Sequence, residues 1–412
     1  MSFFSTFWYN ILKYIFKGDV KVKYEEIKKR IINISGRLNS KLTQLDTNKK
    51  PIIISALMLS LYEIPNTTNK FIDDYPYLTN ATIIKRINDR VGEVLQYIGI
   101  SNDKIKILLS ELQFIEHSDI LTHSQLIKEI IEIVSSEIIP LYNNNADKVD
   151  ILGMLYTNLL TGNSLKKGVV LTPYVIGKLF TELVEITEND IVCDICCGSG
   201  SLLIPALTKT QNVIGFELNN IMYLLVITNM LFNGVTKNIQ IFNEDCFAEK
   251  SYEHLEKLVE NNNIPTIGII NPPYGGKDNK QNNTKKEIQF LQRALAICKK
   301  YVIMIAPLSV LSKDKEIREA ILTRNKLKYV IQVGEAAFQP QATIKTAILV
   351  FECGIPHNDS EVLFTTLNEN ISTNLKSKES NEDVLISKLN NDNDWLLTIN
   401  DTNTTYKDID NT

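Results

Sequence analysis

Hydrophobic and polar positions follow two different periods along this chain. Over residues 1–149, apolar side chains recur every three or four positions, as at Ile27, Ile31, Ile34 and Leu38, and this spacing predicts amphipathic helices. From about residue 150, short β-branched runs alternate with segments of helical length. The runs that predict strands are IVCDI (191–195), NVIGFE (212–217), IQIF (239–242), TIGII (266–270), YVIMIA (301–306), YVIQV (329–333) and TAILVF (346–351).

Strands separated mostly by helices predict an α/β fold, with a mostly parallel seven-stranded sheet covered by helices on both faces. We place an all-helical domain at residues 1–149, the α/β domain at 150–355 and a short polar extension at 356–412. Residues 352–412 carry twelve acidic and four basic side chains, and we expect disorder from about residue 400. Because ligands of parallel sheets bind beyond the carboxyl ends of the strands, the loops after the strands are where a functional site is expected.

Composition places the chain among globular proteins and limits its partners. Of 412 residues, 44% are hydrophobic and 22% charged, which excludes a chain disordered throughout, a collagen-like repeat and a disulfide-stapled miniprotein. The net charge of −4 means that affinity for nucleic acid must come from a local basic patch. Six cysteines in a chain of this length indicate reduced thiols, and hence a cytoplasmic protein.

The sequence predicts no membrane span, because no apolar run reaches the roughly 18 residues that a spanning helix needs. The first sixteen residues, MSFFSTFWYNILKYIF, place aromatic and aliphatic side chains on one helical face. This pattern fits a helix docked on its own domain or on a partner, and it also fits a helix lying on a membrane surface. We favour the docked helix.

The loop after the first predicted strand has the residue types of a nucleoside site. It reads Asp194-Ile-Cys-Cys-Gly198-Ser-Gly200, and its two glycines allow a sharp turn that leaves room for a ligand. Leu203 stands where a phosphate-binding GxGxxG loop has its third glycine, and the loop lacks the Gly-Lys-Ser/Thr of a Walker motif. An acidic residue ahead of such a turn suits a ligand with an ammonium group and a ribose but no phosphate, and S-adenosylmethionine is such a ligand.

Two further carboxylates follow the next two predicted strands. Glu217 ends the second strand, where a carboxylate can accept both ribose hydroxyls of an adenosine. Asp245 follows the third strand, where it can accept the adenine amino group while Phe247 covers the ring. Either residue alone could be a helix cap. Because acidic loops follow three successive strands, we predict a cofactor pocket that includes Asp194, Glu217 and Asp245.

The fourth predicted strand leads into Asn271-Pro272-Pro273-Tyr274. Proline has no N–H, so the carbonyls of this turn can face a ligand without a competing donor. An amino group on an aromatic ring is a poor nucleophile because its lone pair is delocalised. The Asn271 side-chain oxygen and the Pro272 carbonyl can each accept one of its N–H bonds, which frees the lone pair to attack a sulfonium methyl. Tyr274 would stack on the ring.

Four more segments occur in a recognisable order around these loops: Asp150-Ile-Leu-Gly-Met-Leu-Tyr156, the Lys-Lys-Gly168 run, Leu171-Thr172-Pro173-Tyr174 and Phe338-Gln-Pro-Gln-Ala-Thr-Ile-Lys-Thr346. Together with the glycine turn and the Asn271 turn, they resemble the S-adenosylmethionine-dependent N6-adenine DNA methyltransferases, and most closely the modification subunits of type I restriction systems. The likeness covers about residues 145–352. It implies a Rossmann-like methyltransferase sheet behind a helical N-terminal domain.

The resemblance also implies roles for individual residues and partners. Thr172 and Pro173 would contact the methionine end of the cofactor, and Phe338 and Tyr274 would sandwich an adenine flipped out of DNA. Asn271 implies adenine as the target, because cytosine N4 enzymes usually carry serine there. A separate specificity subunit would supply DNA recognition, since the residues after the α/β domain are few and acidic. The shortness of this C-terminal part departs from the type I pattern.

A local excess of basic residues follows the Asn271 turn. Residues 277–328 contain thirteen Lys and Arg against five Asp and Glu, and these cations could neutralise phosphates beside a flipped base. About half of them are expected simply to solvate helix surfaces.

Other interpretations stay open at this point. The same Asn-Pro-Pro-Tyr loop serves methyltransferases of protein glutamine and of RNA guanine, and a methyltransferase fold can also be a non-catalytic scaffold. The Cys193-Asp-Ile-Cys196 pair has no second pair at zinc-binding spacing and the four histidines are scattered, so no metal site is predicted.

Overall fold

The protein is described by a computed structural model that covers residues 18–68, 71–123, 125–143, 145–160, 172–236, 239–261, 263–274, 285–311, 315–333, 345–367 and 384–388. The aromatic segment at 1–16 and the tail from about residue 400 lie outside the described residues, so the predictions made for them are not addressed by it.

The described part of residues 18–143 is helical, as the apolar spacing predicts. Its helices are α1 Gly18–Lys41, α2 Lys50–Leu61, α3 Phe71–Asp74, α4 Asn80–Tyr97, α5 Asn102–Ser110, α6 Asp119–His123, α7 Leu126–Ile133 and α8 Ile139–Asn143, with a π-helical turn at Val134–Ile138. The α/β part then adds α9 Ile151–Leu159, α10 Tyr174–Leu183, α11 Leu203–Ala206, α12 Asn220–Phe232, α13 Glu249–Glu260, α14 Lys286–Ile297 and α15 Lys315–Leu322. Among the described helices, none has both the length and the apolar character required to cross a membrane.

The sheet contains all seven predicted strands and two more. Its strands are β1 Val192–Asp194, β2 Val213–Phe216, β3 Gln240–Phe242, β4 Ile267–Ile270, β5 Tyr301–Pro307, β6 Lys326–Val333, β7 Thr346–Glu352, β8 Glu361–Leu367 and β9 Val384–Lys388. Their spatial order is β3-β2-β1-β4-β5-β7-β6-β8-β9. The α/β class is therefore confirmed, and the count of seven strands was too low.

Pairing in this sheet is parallel except around two strands. β1 to β5 run parallel, β7 is inserted antiparallel between β5 and β6, and β9 is antiparallel to β8. β8 pairs parallel with β6, so the boundary that we placed at residue 355 falls between two strands of one sheet. The sequence 361–367, EVLFTTL, lies in a polar acidic segment, and for this reason its strand character is weak in the sequence alone.

Two apolar cores form because successive side chains of a strand point to opposite faces of the sheet. In β5, Ile303 and Ile305 join the core that the sheet shares with the N-terminal helices. Val302 and Met304, one position along, face the second core, which is covered by α13, α14 and α15. The helical region is thus packed on one face of the sheet and shares its core.

Aromatic rings connect the helical region to helix α12 of the α/β part. The rings of Tyr62 and Tyr142, from the helical region, lie 5.6 and 5.5 Å from the ring of Phe232 at the end of α12.

At the amino edge of the sheet, buried Asp190 accepts hydrogen bonds from Lys300 Nζ (2.6 Å), Thr266 Oγ1 (2.9 Å) and Thr187 N (2.9 Å). Asp190 therefore joins the segments that lead into β1, β4 and β5.

Replacement of Asp190 by Asn should lower the free energy of unfolding at pH 7 by about 1–3 kcal/mol, because charge-assisted hydrogen bonds to a buried group are lost. Burial alone would raise the pKa of Asp190, but the bonds from Lys300, Thr187 and Thr266 lower it to about 2. Since the folded-state pKa is depressed, the wild-type advantage should be complete above about pH 4. The difference in the free energy of unfolding between wild type and variant should disappear as the pH falls towards 2. Denaturant titrations across this range measure it.

The matched control is Asp103→Asn, because the Asp103 carboxylate forms an ion pair of 3.4 Å with Lys106 on the protein surface and is 94% exposed. That change should alter stability by less than about 0.5 kcal/mol. Equal effects of the two substitutions would contradict the anchoring role of Asp190.

Candidate active site at the carboxyl edge of the sheet

The register of the parallel strands brings the candidate loops together. Asp194 at the end of β1 is paired with Gly215 in β2, and Phe216 at the end of β2 is paired with Phe242 at the end of β3. β4 lies on the other side of β1 and ends at Ile270, directly before Asn271. The loops that begin at Asp194, Glu217, Asn243 and Asn271 therefore leave the same edge of the sheet side by side.

The glycine turn after β1 has the conformation that its sequence predicts. Gly198 and Gly200 have φ angles of +56° and +93°, a region that other residues adopt rarely. A side chain at Gly200 would come within 3.0 Å of Val226 in α12, so this glycine permits close packing below the turn. A Cβ at Gly198 would meet nothing within 4 Å, so open space lies beside this residue. A ligand can occupy that space.

Two carboxylates border this turn, buried Asp194 and half-buried Glu217. Asp194 accepts a hydrogen bond from the backbone N–H of Cys196 (2.9 Å), and burial raises the pKa of its carboxyl to about 7. Glu217 accepts the N–H of Gly198 with one oxygen (2.9 Å) and that of Asn219 with the other (2.7 Å). Burial also raises the pKa of Glu217. Negative charge held in this partly desolvated place attracts a cationic or hydroxyl-bearing ligand strongly.

Asp245 lies at the rim of the same edge. It is exposed, and one of its oxygens accepts the N–H of Phe247 (2.9 Å). The ring of Phe247 meets that of Phe290 edge to face at 5.0 Å, so both Asp245 and the aromatic ring are held in position beside the third loop.

A polar contact that the sequence did not predict ties the second and third loops to the helical region. The Asn243 amide donates to the carbonyl oxygens of Glu217 (2.7 Å) and Leu218 (3.1 Å). Its oxygen accepts a hydrogen bond from Lys104 Nζ in α5 (2.6 Å). Residues 139 positions apart in the chain meet here, and no local pattern could have revealed the contact.

The turn after β4 contacts the segment that precedes the glycine turn. Asn271 is half-buried, and its Nδ2 donates to the hydroxyl oxygen of Thr172 (2.8 Å). Pro272 is buried, and Pro273 is exposed. Tyr274 is half-buried, and its hydroxyl has no hydrogen-bond partner among the described residues. Thr172 and Pro173, which immediately precede α10, thus lie next to Asn271.

The comparison with known proteins adds the family. A family model described as N-6 DNA Methylase matches residues 147–395, which is more than half of the chain. The chain belongs to the N-6 DNA methylase family. The match spans the glycine turn, the acidic loops and the Asn271 turn, and the family resemblance inferred from the sequence is confirmed.

Individual relatives agree with this assignment. The chain is 26% identical over 361 residues to the type II restriction enzyme and methyltransferase RM.BcgI of Heyndrickxia coagulans, a match over 77% of this chain and 53% of that protein. It is 21% identical over 314 residues to the type I restriction enzyme EcoEI methylase subunit of Escherichia coli, over 68% of this chain and 61% of that protein. The chain thus spans about half to three fifths of the length of these relatives.

A solved structure shares the fold. The type I restriction-modification system methyltransferase subunit from Streptococcus thermophilus superposes with a TM-score of 0.56 at 19% identity, over 83% of this chain and 87% of that one. The similarity therefore includes the helical region as well as the sheet.

All the predicted site residues of this N-6 DNA methylase except Phe338 lie at the carboxyl edge. They are Thr172, Pro173, Asp194, Gly198, Gly200, Glu217, Asp245, Asn271, Pro272, Pro273 and Tyr274. Phe338 lies outside the described residues.

The basic residues after the Asn271 turn divide between the two edges of the sheet. Lys299 and Lys300 precede β5, and Arg324 and Lys326 stand at the beginning of β6, which runs parallel to β5. These four therefore lie at the amino edge, away from the candidate site, and the expectation that they flank it was wrong. Lys285 donates to Ser309, which follows β5, so it lies at the carboxyl edge (2.8 Å).

The cysteines are structural side chains. All six are free thiols, and burial raises the pKa of each, Cys193 in β1 and Cys196 in the glycine loop included. Within the ranges that the structure covers, no group of three His, Cys, Asp or Glu side chains is arranged to hold a metal ion.

Proposed function

We propose that this chain is a DNA methyltransferase that transfers a methyl group from S-adenosylmethionine to the N6 amino group of an adenine flipped out of the double helix. The observation that carries the proposal is the position of Asn271. Its side chain lies at the carboxyl edge, one strand from Asp194 and the glycine turn, and contacts Thr172. A family membership over residues 147–395 supports the same chemistry.

The residues at this edge fit S-adenosylmethionine. Open space lies beside Gly198, whose N–H donates to Glu217, so a cofactor could approach the turn closely. Asp194 would accept the cofactor ammonium, and Glu217 would accept the ribose hydroxyls. Asp245 would bind the adenine amino group, with Phe247 against the ring. When bound, the cofactor supplies an electrophilic methyl group.

The Asn271 turn would hold and activate the target amine. The Asn271 Nδ2 donates a hydrogen bond to the hydroxyl oxygen of Thr172. The Oδ1 of Asn271 is therefore directed away from Thr172 and can accept an N–H of the amine. The carbonyl of Pro272 would accept the second N–H, and no N–H of either proline competes with it. Two acceptors on one planar NH₂ draw the nitrogen towards tetrahedral geometry and make its lone pair available.

The flipped base would be held by stacking. Tyr274 follows the two prolines and would cover one face of the adenine. We propose that Phe338 covers the other face.

DNA recognition would come from a second protein. The relative from Escherichia coli is described as a methylase subunit, a name that implies assembly with other subunits. We therefore propose a DNA-specificity partner, with Lys285 and its neighbours at the carboxyl edge contacting phosphates.

Incubation with methyl-labelled S-adenosylmethionine and DNA, RNA or protein in separate reactions tests the proposed substrate. We expect label in N6-methyladenine of DNA. Host DNA supplies the recognition sequence, and host lysate supplies the specificity partner. Label in protein glutamine or in RNA guanine would replace the proposal with one of those two activities. Cofactor binding without label in any of the three would indicate a scaffold.

Replacing Asn271 by Ala should lower the rate of methyl transfer by at least about 10²–10³-fold, because the acceptor that acts on the developing charge is removed. Affinity for S-adenosylmethionine should change less than about threefold, since Asn271 contacts the target amine. Single-turnover kinetics and titration calorimetry measure the two quantities.

The control for this prediction is Asn212→Ala, because Asn212 lies at the amino edge and its amide only donates to the Glu188 carbonyl (3.1 Å). Both rate and affinity should stay at wild-type values there. Retained methyl transfer in the Asn271 variant would refute its catalytic assignment.

Cofactor affinity should depend on pH through Asp194. Burial, with a smaller contribution from the nearby Glu217 charge, raises the pKa of Asp194 to about 7. Only the ionised carboxylate can pair with the cofactor ammonium, so affinity should rise with pH up to about 7 and fall by up to about tenfold for each unit below it. Calorimetric titrations from pH 5.5 to 8 measure this slope.

Asp194→Asn is the matched variant, since it removes the titrating group and keeps the shape of the side chain. Its affinity should be weaker and should lose this pH dependence. A wild-type affinity that is flat between pH 5.5 and 7 would contradict the assignment of Asp194.

A further inference from the structure

We propose that Asp150 is a positioning residue for the cofactor-binding glycine turn, and that it links this turn to the helical region. This inference rests on the proposed function, because it concerns affinity for S-adenosylmethionine. Asp150 would not touch the cofactor, and it would act through Ser199 and Ser201, the two neighbours of Gly200.

Asp150 caps the first helix of the α/β part from a buried position. It is 5% exposed, and its Oδ1 accepts the N–H of Gly153 at the start of α9 (2.8 Å). A Cβ at Gly153 would lie 2.0 Å from the Asp150 Oδ2, so the carboxylate occupies space that only a glycine leaves free. The position of this carboxylate is therefore fixed by the backbone.

The same carboxylate holds both serines of the glycine turn. Its Oδ2 accepts hydrogen bonds from the hydroxyls of Ser199 (3.1 Å) and Ser201 (2.8 Å). Both serines are buried, and their hydroxyl oxygens are 3.1 Å apart. The peptide units on either side of Gly200 are thus attached to a residue about 50 positions earlier in the chain.

Asn229 of α12 joins the same cluster. Its Nδ2 donates to the Asp150 Oδ1 (2.5 Å) and to the carbonyl of Ser199 (3.2 Å). Its oxygen accepts the hydroxyl of Tyr142 from α8 (3.0 Å). An uninterrupted series of hydrogen bonds therefore runs from Tyr142 through Asn229 and Asp150 to the glycine turn.

All four groups that contact the Asp150 carboxylate donate hydrogen bonds to it, so the cluster needs an acceptor at this position. The four donors to Asp150 are a backbone N–H, two hydroxyls and an amide, all of them neutral. Removal of the carboxylate would leave these buried donors without a partner, and each such group costs about 1–3 kcal/mol unless the structure rearranges. The turn at Ser199–Ser201 is where the rearrangement is expected, since Gly200 at its centre has a left-handed conformation that gives the backbone freedom to move.

An asparagine at position 150 should preserve the network. The two obligatory donors, Gly153 N–H and Asn229 Nδ2, both bind Oδ1, which an asparagine retains. The remaining partners are serine hydroxyls, which both donate and accept, so they can rotate to accept from the new NH₂. The structure thus distinguishes Asp150→Ala, which breaks the network, from Asp150→Asn, which keeps it.

The test measures cofactor affinity and local order in the full chain for the wild type, Asp150→Ala, Asp150→Asn and Thr228→Val. Thr228 is the matched control: it is a fully buried residue of α12 whose hydroxyl donates only to the Leu224 carbonyl of its own helix (2.7 Å). Calorimetric titration gives the dissociation constant for S-adenosylmethionine, and amide hydrogen exchange reports on residues 198–201.

Asp150→Ala should weaken cofactor binding by about tenfold or more and accelerate exchange at residues 198–201. Asp150→Asn should stay within about threefold of the wild type in both. Thr228→Val should lower the melting temperature and leave both unchanged. A loss of affinity in Asp150→Ala that Thr228→Val reproduces at equal loss of stability would overturn the inference, as would wild-type affinity in Asp150→Ala.

A second variant keeps the inference testable if Asp150→Ala does not fold. Tyr142→Phe removes only the hydroxyl at the far end of the network, and it should weaken cofactor binding about two- to fivefold; unchanged affinity and exchange would overturn the link to the helical region. Failure of the proposed function gives a different result. A wild-type chain that binds no cofactor, with faster exchange at 198–201 in Asp150→Ala, would refute the cofactor assignment and support the positioning role.

Discussion

The parallel pairing of β1 with β2 on one side and with β4 on the other is the constraint on which the candidate site depends. Side chains far apart in the sequence become neighbours only because each strand of this set ends at the same edge, so that Asp194, Glu217 and Asn271 leave the sheet together. Antiparallel pairing at either position would send one of these loops to the opposite edge. β7, which is antiparallel, lies outside this central set.

The carboxyl edge of the sheet contains carboxylates that are costly to remove from water and that can bind a ligand. Asp194 is buried and Glu217 half-buried, desolvation raises the pKa of both carboxyls, and their hydrogen bonds are to backbone N–H groups and not to cations. A carboxylate without a cationic partner is expensive to bury, and such places are typically functional sites. At the amino edge, Asp190 is also buried but is paired with Lys300, and the pKa of its carboxyl is lowered. The carboxyl groups at the two edges therefore differ in their partners: a lysine lowers the pKa at the amino edge, and among the described residues no cation does so for Asp194 or Glu217 at the carboxyl edge.

Sequence patterns predicted the elements and the loops in which the candidate site residues lie, because both are local features. A strand, the loop after it and the residue types of that loop lie within about ten positions, as for Val192–Asp194 and the turn at Gly198. Contacts over long distances were beyond such patterns. Lys104 on Asn243, and Ser201 on Asp150, depend on how the helical region packs, and β8 is fixed by its pairing with β6. The basic residues around Lys300 were misplaced for the same reason, since nearness in sequence to Asn271 does not specify the edge.

A crystal structure of the chain with S-adenosylhomocysteine, the demethylated form of the cofactor, tests the proposed site. We expect the amino acid end of the ligand beside Gly198 and Asp194, the ribose on Glu217, and the sulfur facing the Asn271 side chain across an open space large enough for a planar base. A ligand bound elsewhere would contradict it. So would a sulfur separated from Asn271 by the protein.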